Sequence, residues 1–165
     1  MEANAEIAEA VIDEAGDGEV SLELRRVFAA GETDWPVSWY SFAILFDGAP
    51  AGGLRLRVGD IELLRQWAGH VGCNVDPPFR GARVAERATR LLLPLAAAHK
   101  LNPVWLTCAP ENIASRVTLE RLGAVLVETV AVPAEYALFE PLATLKRRYR
   151  LDMASLASGE KRPVA

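Results

Sequence analysis

Apolar and polar positions along this chain alternate mostly with the two-residue period of strands, and in three places switch to the 3.6-residue period of helices. Val20, Leu22 and Leu24 alternate with Ser21, Glu23 and Arg25, which predicts a half-buried strand. Ser38 to Phe46 and Gly52 to Val58 read as a hairpin around Asp47-Gly-Ala-Pro50, with Leu54 and Leu56 set against Arg55 and Arg57. Ahead of the first strand, Glu6 to Ala15 carries Ile7, Val11 and Ile12 at weakly helical spacing and stops at Gly16-Asp-Gly18.

Two strand–turn–helix units follow this meander. Trp67 to Val75 (WAGHVGCNV) is apolar and β-compatible and ends at a Pro-Pro break. Beyond it Val84, Ala88, Leu91, Leu92 and Leu95 recur at helical spacing, with Arg83, Glu86, Arg87 and Arg90 on the other side. Pro94 removes one ladder bond and is expected to kink this helix near Arg90. Arg80, Gly81 and Arg83 lie between strand and helix. The start of a helix carries unpaired N–H groups and the positive end of its dipole, so the turn suits an anion; it also suits an ordinary β–α connection with solvated arginines. In the second unit Pro103 to Cys108 reads as a buried strand and Ile113 to Leu122 as a helix. Asn112 stands where an N-cap belongs, and Gly123 where the chain leaves a helix. Short strands are expected near Ala124–Val132 and Lys146–Leu151. The order predicts an α/β fold of α+β-like character, a mixed and mostly antiparallel sheet with helices on both faces.

The two units, in order, resemble the GNAT N-acetyltransferase superfamily. Its first turn, R/Q-x-x-G-x-G/A, corresponds to Arg80-Gly-Ala-Arg83-Val-Ala85. Its second unit, in the branch resembling ribosomal-protein alanine acetyltransferases, reads N-x-x-S-x-x-x-L-E-x-L-G. Here that is Asn112-Ile-Ala-Ser115-Arg-Val-Thr-Leu119-Glu120-Arg-Leu122-Gly123, matching at every fixed position. The strong resemblance spans residues 69 to 132. It implies transfer of an acetyl group from acetyl-CoA to an amine of a small molecule or a protein N-terminus. The pyrophosphate would lie at Arg80, Gly81, Ala82, Arg83, Val84 and Ala85. The pantetheine arm would pair with the backbone at Asn74 and Val75, where the family's sheet splays, and Asn112 and Ser115 would contact pantetheine or sulfur. Asn112 also reads as a simple N-cap, and Ser115 as helix-face packing. Two positions depart from relatives: Arg83 stands where glycine is usual, and Leu119 where many carry a tyrosine. A CoA-binding or protein-binding module without turnover is the alternative on the same fold.

Composition narrows the class further. The chain has 165 residues, 51% of them hydrophobic, enough for one core. A single domain over residues 1–153 and a mobile small-polar tail over 154–165 are expected. No apolar run approaches the roughly 18 residues of a membrane span, and the acidic, Ala-rich start lacks the pattern of a signal peptide, so a cytoplasmic protein is expected. A net charge of −4 argues against nucleic acid as partner. Cys73 and Cys108 fall in predicted buried strands and His70 and His99 have no ligand-like spacing with them, so no metal is expected. Lys146-Arg-Arg148 beside Tyr149-Arg-Leu-Asp suggests a last strand with one solvated face.

The general base is the least legible part. His70 on the central strand, with a reference pKa near neutrality, and Glu62 ahead of it are the two candidates. A histidine between buried glycines equally suits a structural hydrogen bond, and Glu62 beside Asp60 and Arg65 a solvated loop charge. The segment Trp35 to Tyr40 (WPVSWY) is a plausible wall for the acceptor, and a homodimer is compatible with this reading.

Overall fold

Strands β1 (Val20–Phe28), β2 (Ser38–Phe46), β3 (Ala49–Val58) and β4 (Val71–Val75) pair antiparallel in that order. The computed structural model describes residues 2–12, 16–139 and 144–157. It divides into two compact units, one formed by the chain up to Gly59 with Val71–Leu101, the other by Asp60–His70 with the chain from Asn102.

The first unit holds β1 to β4, helix α1 (Glu2–Ile12) and helix α2 (Val84–Ala98). Residues 13–15, the end of the expected first helix, lie outside the described ones. The β2–β3 turn is tighter than expected, only Asp47 and Gly48, both at positive φ (49° and 76°). Such a two-residue turn matches the twist of its strands, and Asp-Gly tolerates it. Phe42, Ile44, Leu54 and Leu56 are buried, as are Val84, Ala88, Leu92 and Leu95 of α2, which packs on β1, β3 and β4. Each such side chain contributes about 1.5–3 kcal/mol by leaving water. Helix α2 continues through Pro94. Tyr40, fully buried, ties three elements together: its hydroxyl lies 2.6 Å from His99 Nε2 after α2 and donates to the Asn4 carbonyl of α1 at 3.3 Å.

A bulge in β3 shapes the end of β4. Gly52 pairs with Ile44 and Pro50 with Leu45, so Ala51 has no partner on β2. The Ala51 carbonyl instead accepts the Asp76 N–H at 2.9 Å, just past β4. Gly52 beside it adopts φ +152°, and a Cβ there would lie 2.1 Å from the Asn74 carbonyl oxygen. Only glycine fits that approach.

The second unit holds β5 (Val104–Cys108), β6 (Val125–Ala131) and β7 (Leu145–Leu151), antiparallel in the order β5-β7-β6, with α3 (Ile113–Arg121) and α4 (Met153–Ala157). The α/β class read from the sequence is the one observed, and every ladder among the described residues is antiparallel. Residues 154–157 of the expected tail belong to α4; residues 158–165 lie outside the described ones. A π-helical turn, Leu64–Ala68, packs on β5 and β7. The basic run of β7 differs from expectation: Lys146 and Arg148 are buried. Arg148 donates to the Arg65 carbonyl at 2.8 Å, pairs with Glu128 and lies over the Trp105 ring. At the sheet edge β6 leaves Val125, Leu126 and Val127 exposed.

Adding a Cβ at Gly52 and at Gly53 should have unequal effects. Gly52→Ala meets main-chain oxygen and should cost about 1–3 kcal/mol, read as a lowered urea midpoint. At Gly53 the nearest atom, at 3.1 Å, is the movable Asn74 side-chain oxygen, so Gly53→Ala should cost less. Equal losses would contradict the packing described.

A pH effect follows from Arg87, which donates to Asp17 Oδ1 and Glu19 Oε2, each at 2.8 Å. The Arg87 hydrogen bond, opposed by burial and aided by the Val20 and Glu19 amides, holds the Asp17 carboxyl at about 2 instead of 3.8. A depressed folded-state value stabilises above the ordinary one and is lost as pH falls through it. The stability gap between wild type and Arg87→Ala, measured by urea unfolding, should therefore narrow from pH 3.8 towards about 2. A gap constant over that window would exclude Asp17 as the group.

Candidate functional site

The turn from β4 to α2 runs Asp76, a 3-10 turn over Pro77–Phe79, then Arg80 to Arg83. Asn74 and Val75 stand at the end of β4, opposite Gly53 and Gly52, and β4 is the last strand of its four-stranded sheet. The strand is shorter and more open than the sequence suggested. It begins at Val71, because Trp67 and Ala68 belong to the π-helical turn, and Cys73, expected inside, is exposed.

Backbone geometry explains the residues of the turn. Gly81 has φ +94° with open space around its Cα, so glycine is there for conformation and not for room. Arg83, the residue before α2, is also left-handed (φ 58°, ψ 27°), and no side chain caps the helix. A side chain in that region costs about 1–2 kcal/mol. The family glycine at this position is thus a conformational requirement that Arg83 meets under strain.

Of the four arginines expected to line this helix start, three are engaged by carboxylates. Arg83 donates to Glu86 through Nε at 2.9 Å and Nη2 at 2.8 Å. Arg90 reaches Glu86 Oε1 at 3.2 Å, and Arg87 faces Asp17 and Glu19. Glu86 is buried and shared between two guanidiniums, which leaves its surroundings positive. Arg80 donates through Nε to the Val75 carbonyl at 3.0 Å and, among the described residues, has no carboxylate partner. Its charge adds to the positive excess that the shared Glu86 leaves. Glu86 was legible only as a polar-face residue; its sequence spacing of three and four from Arg83 and Arg90 was the available signal.

The second unit carries the other named residues. Asn112 caps α3, its Oδ1 accepting the Ser115 N–H at 3.1 Å, and the chain leaves the helix through Gly123 at φ 90°. Ser115 is half-buried on the first turn. Glu62 is exposed at the start of the turn that leads into Leu64–Ala68. His70 is buried but precedes β4 instead of lying on a strand. Its N–H donates to the Trp105 carbonyl at 2.7 Å, and its Nδ1 accepts the Trp105 N–H at 2.8 Å. An amide can only donate, so Nδ1 is unprotonated and the ring proton of the neutral form sits on Nε2. Gly69, at φ +70°, makes this clip possible, since a Cβ would lie 3.1 Å from the Trp105 carbonyl oxygen.

The expected acceptor wall divides between core and surface. Tyr40 is core, Trp39 stacks on Phe28 at 4.0 Å, and half-buried Trp35 takes the Arg57 guanidinium over its ring at 4.0 Å. No group of three or more metal-ligating side chains occurs among the described residues. No helix among them is long and apolar enough to cross a membrane.

The profile of the acetyltransferase (GNAT) domain family matches residues 3–125. No curated protein sequence matches the chain. Solved structures do. RimJ of Mycobacterium smegmatis, in complex with CoA-disulfide, superposes with a TM-score of 0.55 at 19% identity, over 75% of this chain and 61% of its own. The ribosomal-protein-S5-alanine acetyltransferase of Vibrio fischeri gives 0.55 at 17%, over 69% and 61%. The ribosomal L7/L12 α-N-protein acetyltransferase RimL, joined to coenzyme A by a disulfide, gives 0.55 at 18%, over 69% and 62%. These identities establish the fold, and the matched part spans about three-fifths of each neighbour's length.

Strain at Arg83 is directly measurable. Arg83→Gly and Arg83→Ala both delete the Glu86 pair, but only glycine accepts the left-handed backbone. Arg83→Gly should therefore be more stable than Arg83→Ala by about 1 kcal/mol in urea unfolding. Equal stability would mean that residue 83 is not held left-handed.

Proposed function

Because the chain belongs to the acetyltransferase (GNAT) domain family, we propose that it transfers an acetyl group from acetyl-CoA to the amine of an acceptor, a small molecule or a protein N-terminus. The observation that carries this reading is the β4–α2 turn: an uncapped helix start preceded by left-handed Gly81 and Arg83, with Arg80 lacking a carboxylate partner. Converging N–H groups and a guanidinium suit a pyrophosphate. The neighbours solved with CoA support that ligand, and RimL, described as an α-N-protein acetyltransferase, supports a protein N-terminus among the acceptors.

In this reading the backbone of residues 80–85 holds the pyrophosphate, with Arg80 as its charged contact. Arg83 has to leave Glu86 before it can add a second. Asn74 and Val75, on the last strand of their sheet, offer main-chain groups to the pantetheine amides. Asn112 spends only its oxygen on the cap, so its amide nitrogen keeps two donors for a ligand. Ser115 is the hydroxyl assigned to the sulfur.

The chemistry is attack of a neutral amine on the thioester carbonyl and departure of a thiolate. For an amine of pKa about 10.4, only about one molecule in two thousand is neutral at pH 7, so a base or desolvation must lower that cost. His70 is read here as the anchor of β5, since its Nδ1 lone pair is committed to Trp105 and its neutral ring carries the proton on Nε2. That leaves exposed Glu62 as the candidate base. A thiol of pKa about 8.5 leaves as its anion without a proton donor, which suits leucine at position 119.

Replacing Arg80 by glutamate exchanges a charge-assisted contact for repulsion. CoA binding, measured by calorimetry on folded Arg80→Glu, should weaken by at least about 1.5 kcal/mol, more than tenfold. Unchanged affinity would overturn the assignment of the turn. CoA binding without amine-dependent thiol release across a panel of acceptors would favour the non-catalytic module.

A further inference from the structure

Outside the β4–α2 turn, the most unusual electrostatics lie where α3 meets β7. Arg147 stands opposite Cys108 in the β5–β7 ladder, and Tyr149 opposite Leu106, so alternation puts all four on one face of that sheet. Helix α3 meets this face, for the Tyr149 hydroxyl donates to Glu120 at 3.4 Å. Arg116 lies one helical turn before Glu120 and donates through Nη1 to the Pro110 carbonyl at 3.3 Å. The Arg147 guanidinium lies 5.8 Å from the centroid of the Tyr149 ring.

The accounting of charge and donors does not close. Nε of Arg116 and Nε of Arg147 are both buried and, among the described residues, have no hydrogen-bond partner. A buried charged donor left unpaired is costly, and here two occur together. Among the described residues the local carboxylate, Glu120, ion-pairs with neither arginine; it accepts from Tyr149. Cys108 supplies no anion: burial, against the pull of the nearby Lys146, Arg147 and Arg116 charges, pushes its thiol up and keeps it neutral.

Two guanidiniums gathered around Cys108 and Tyr149, each with a buried Nε–H that no described residue accepts, are complementary to a group with several acceptor lone pairs and a negative charge. We propose that Arg116 and Arg147 form a binding site for one oxyanion, a carboxylate or a phosphate, at the junction of α3 and β7. The site is built entirely within the second unit and does not depend on acetyl transfer.

The test uses the full chain and reads the two Nε–Hε groups by nitrogen-15 NMR while inorganic phosphate, and separately acetate, is added. Both resonances should shift together and saturably with a Kd in the millimolar range or tighter. In Arg147→Gln the Arg116 resonance should need at least about tenfold more anion, and Arg116→Gln should do the same to Arg147. The pair of variants guards against a single one that fails to fold. No saturable shift with either anion, or an unchanged Kd in both folded variants, would overturn the site. A second arm adds CoA to the phosphate-loaded protein. Displacement at both Nε groups identifies the CoA phosphates as the source of the oxyanion, and persistence assigns it to a different molecule. Failure of CoA to bind at all, seen by calorimetry in the same sample, bears on the acetyl-transfer reading alone.

Discussion

The first unit is organised around one close contact, the approach of the β3 backbone to the carbonyl of Asn74. It requires glycine at position 52 and follows directly on the bulge at Ala51, whose carbonyl takes the Asp76 N–H. Those two features end β4 at a fixed point and launch the chain into the Pro77–Phe79 turn. Everything assigned to pyrophosphate recognition lies within ten residues of that point. The turn is aimed by main chain, not by the side chains that line it, so the alignment of the following helix start is set before any ligand arrives.

Charge at the turn is governed by subtraction. Four arginines crowd the start of α2, yet Asp17, Glu19 and buried Glu86 neutralise most of them. Glu86 favours its place twice, through the helix dipole and through two guanidiniums. The residual positive field is local and modest, in keeping with a small anionic ligand and with the acidic balance of the chain as a whole.

Much of this was legible in the sequence for identifiable reasons. Alternation located β1, β3 and β7, the Asp-Gly pair located the hairpin, and Asn112 with Gly123 bracketed α3, because each signal is local. What escaped was non-local. Trp67 and Ala68 have the composition of a strand, but the chain there winds as a π-helical turn ending at Gly69, whose freedom lets His70 clip onto Trp105. Cys73 alternates like a core residue but lies on an exposed strand. Arg148 looks solvated until Arg65, Glu128 and Trp105 surround it. The left-handed Arg83 could be suspected only from the family glycine, since nothing in its own neighbours announces the backbone angle.

The Tyr40 hydroxyl has one proton and two acceptors within reach, His99 Nε2 and the Asn4 carbonyl. Both contacts hold together only when His99 presents its proton to Tyr40, freeing the tyrosine to donate to helix α1. Substitutions at these positions are therefore coupled at a distance. A change at His99 that replaces the donor by an acceptor competes for the Tyr40 proton and so withdraws an anchor from α1, more than ninety residues earlier in the chain, whereas an apolar residue there leaves that proton to Asn4. Three positions far apart in sequence inherit one another's constraints through a single hydrogen atom.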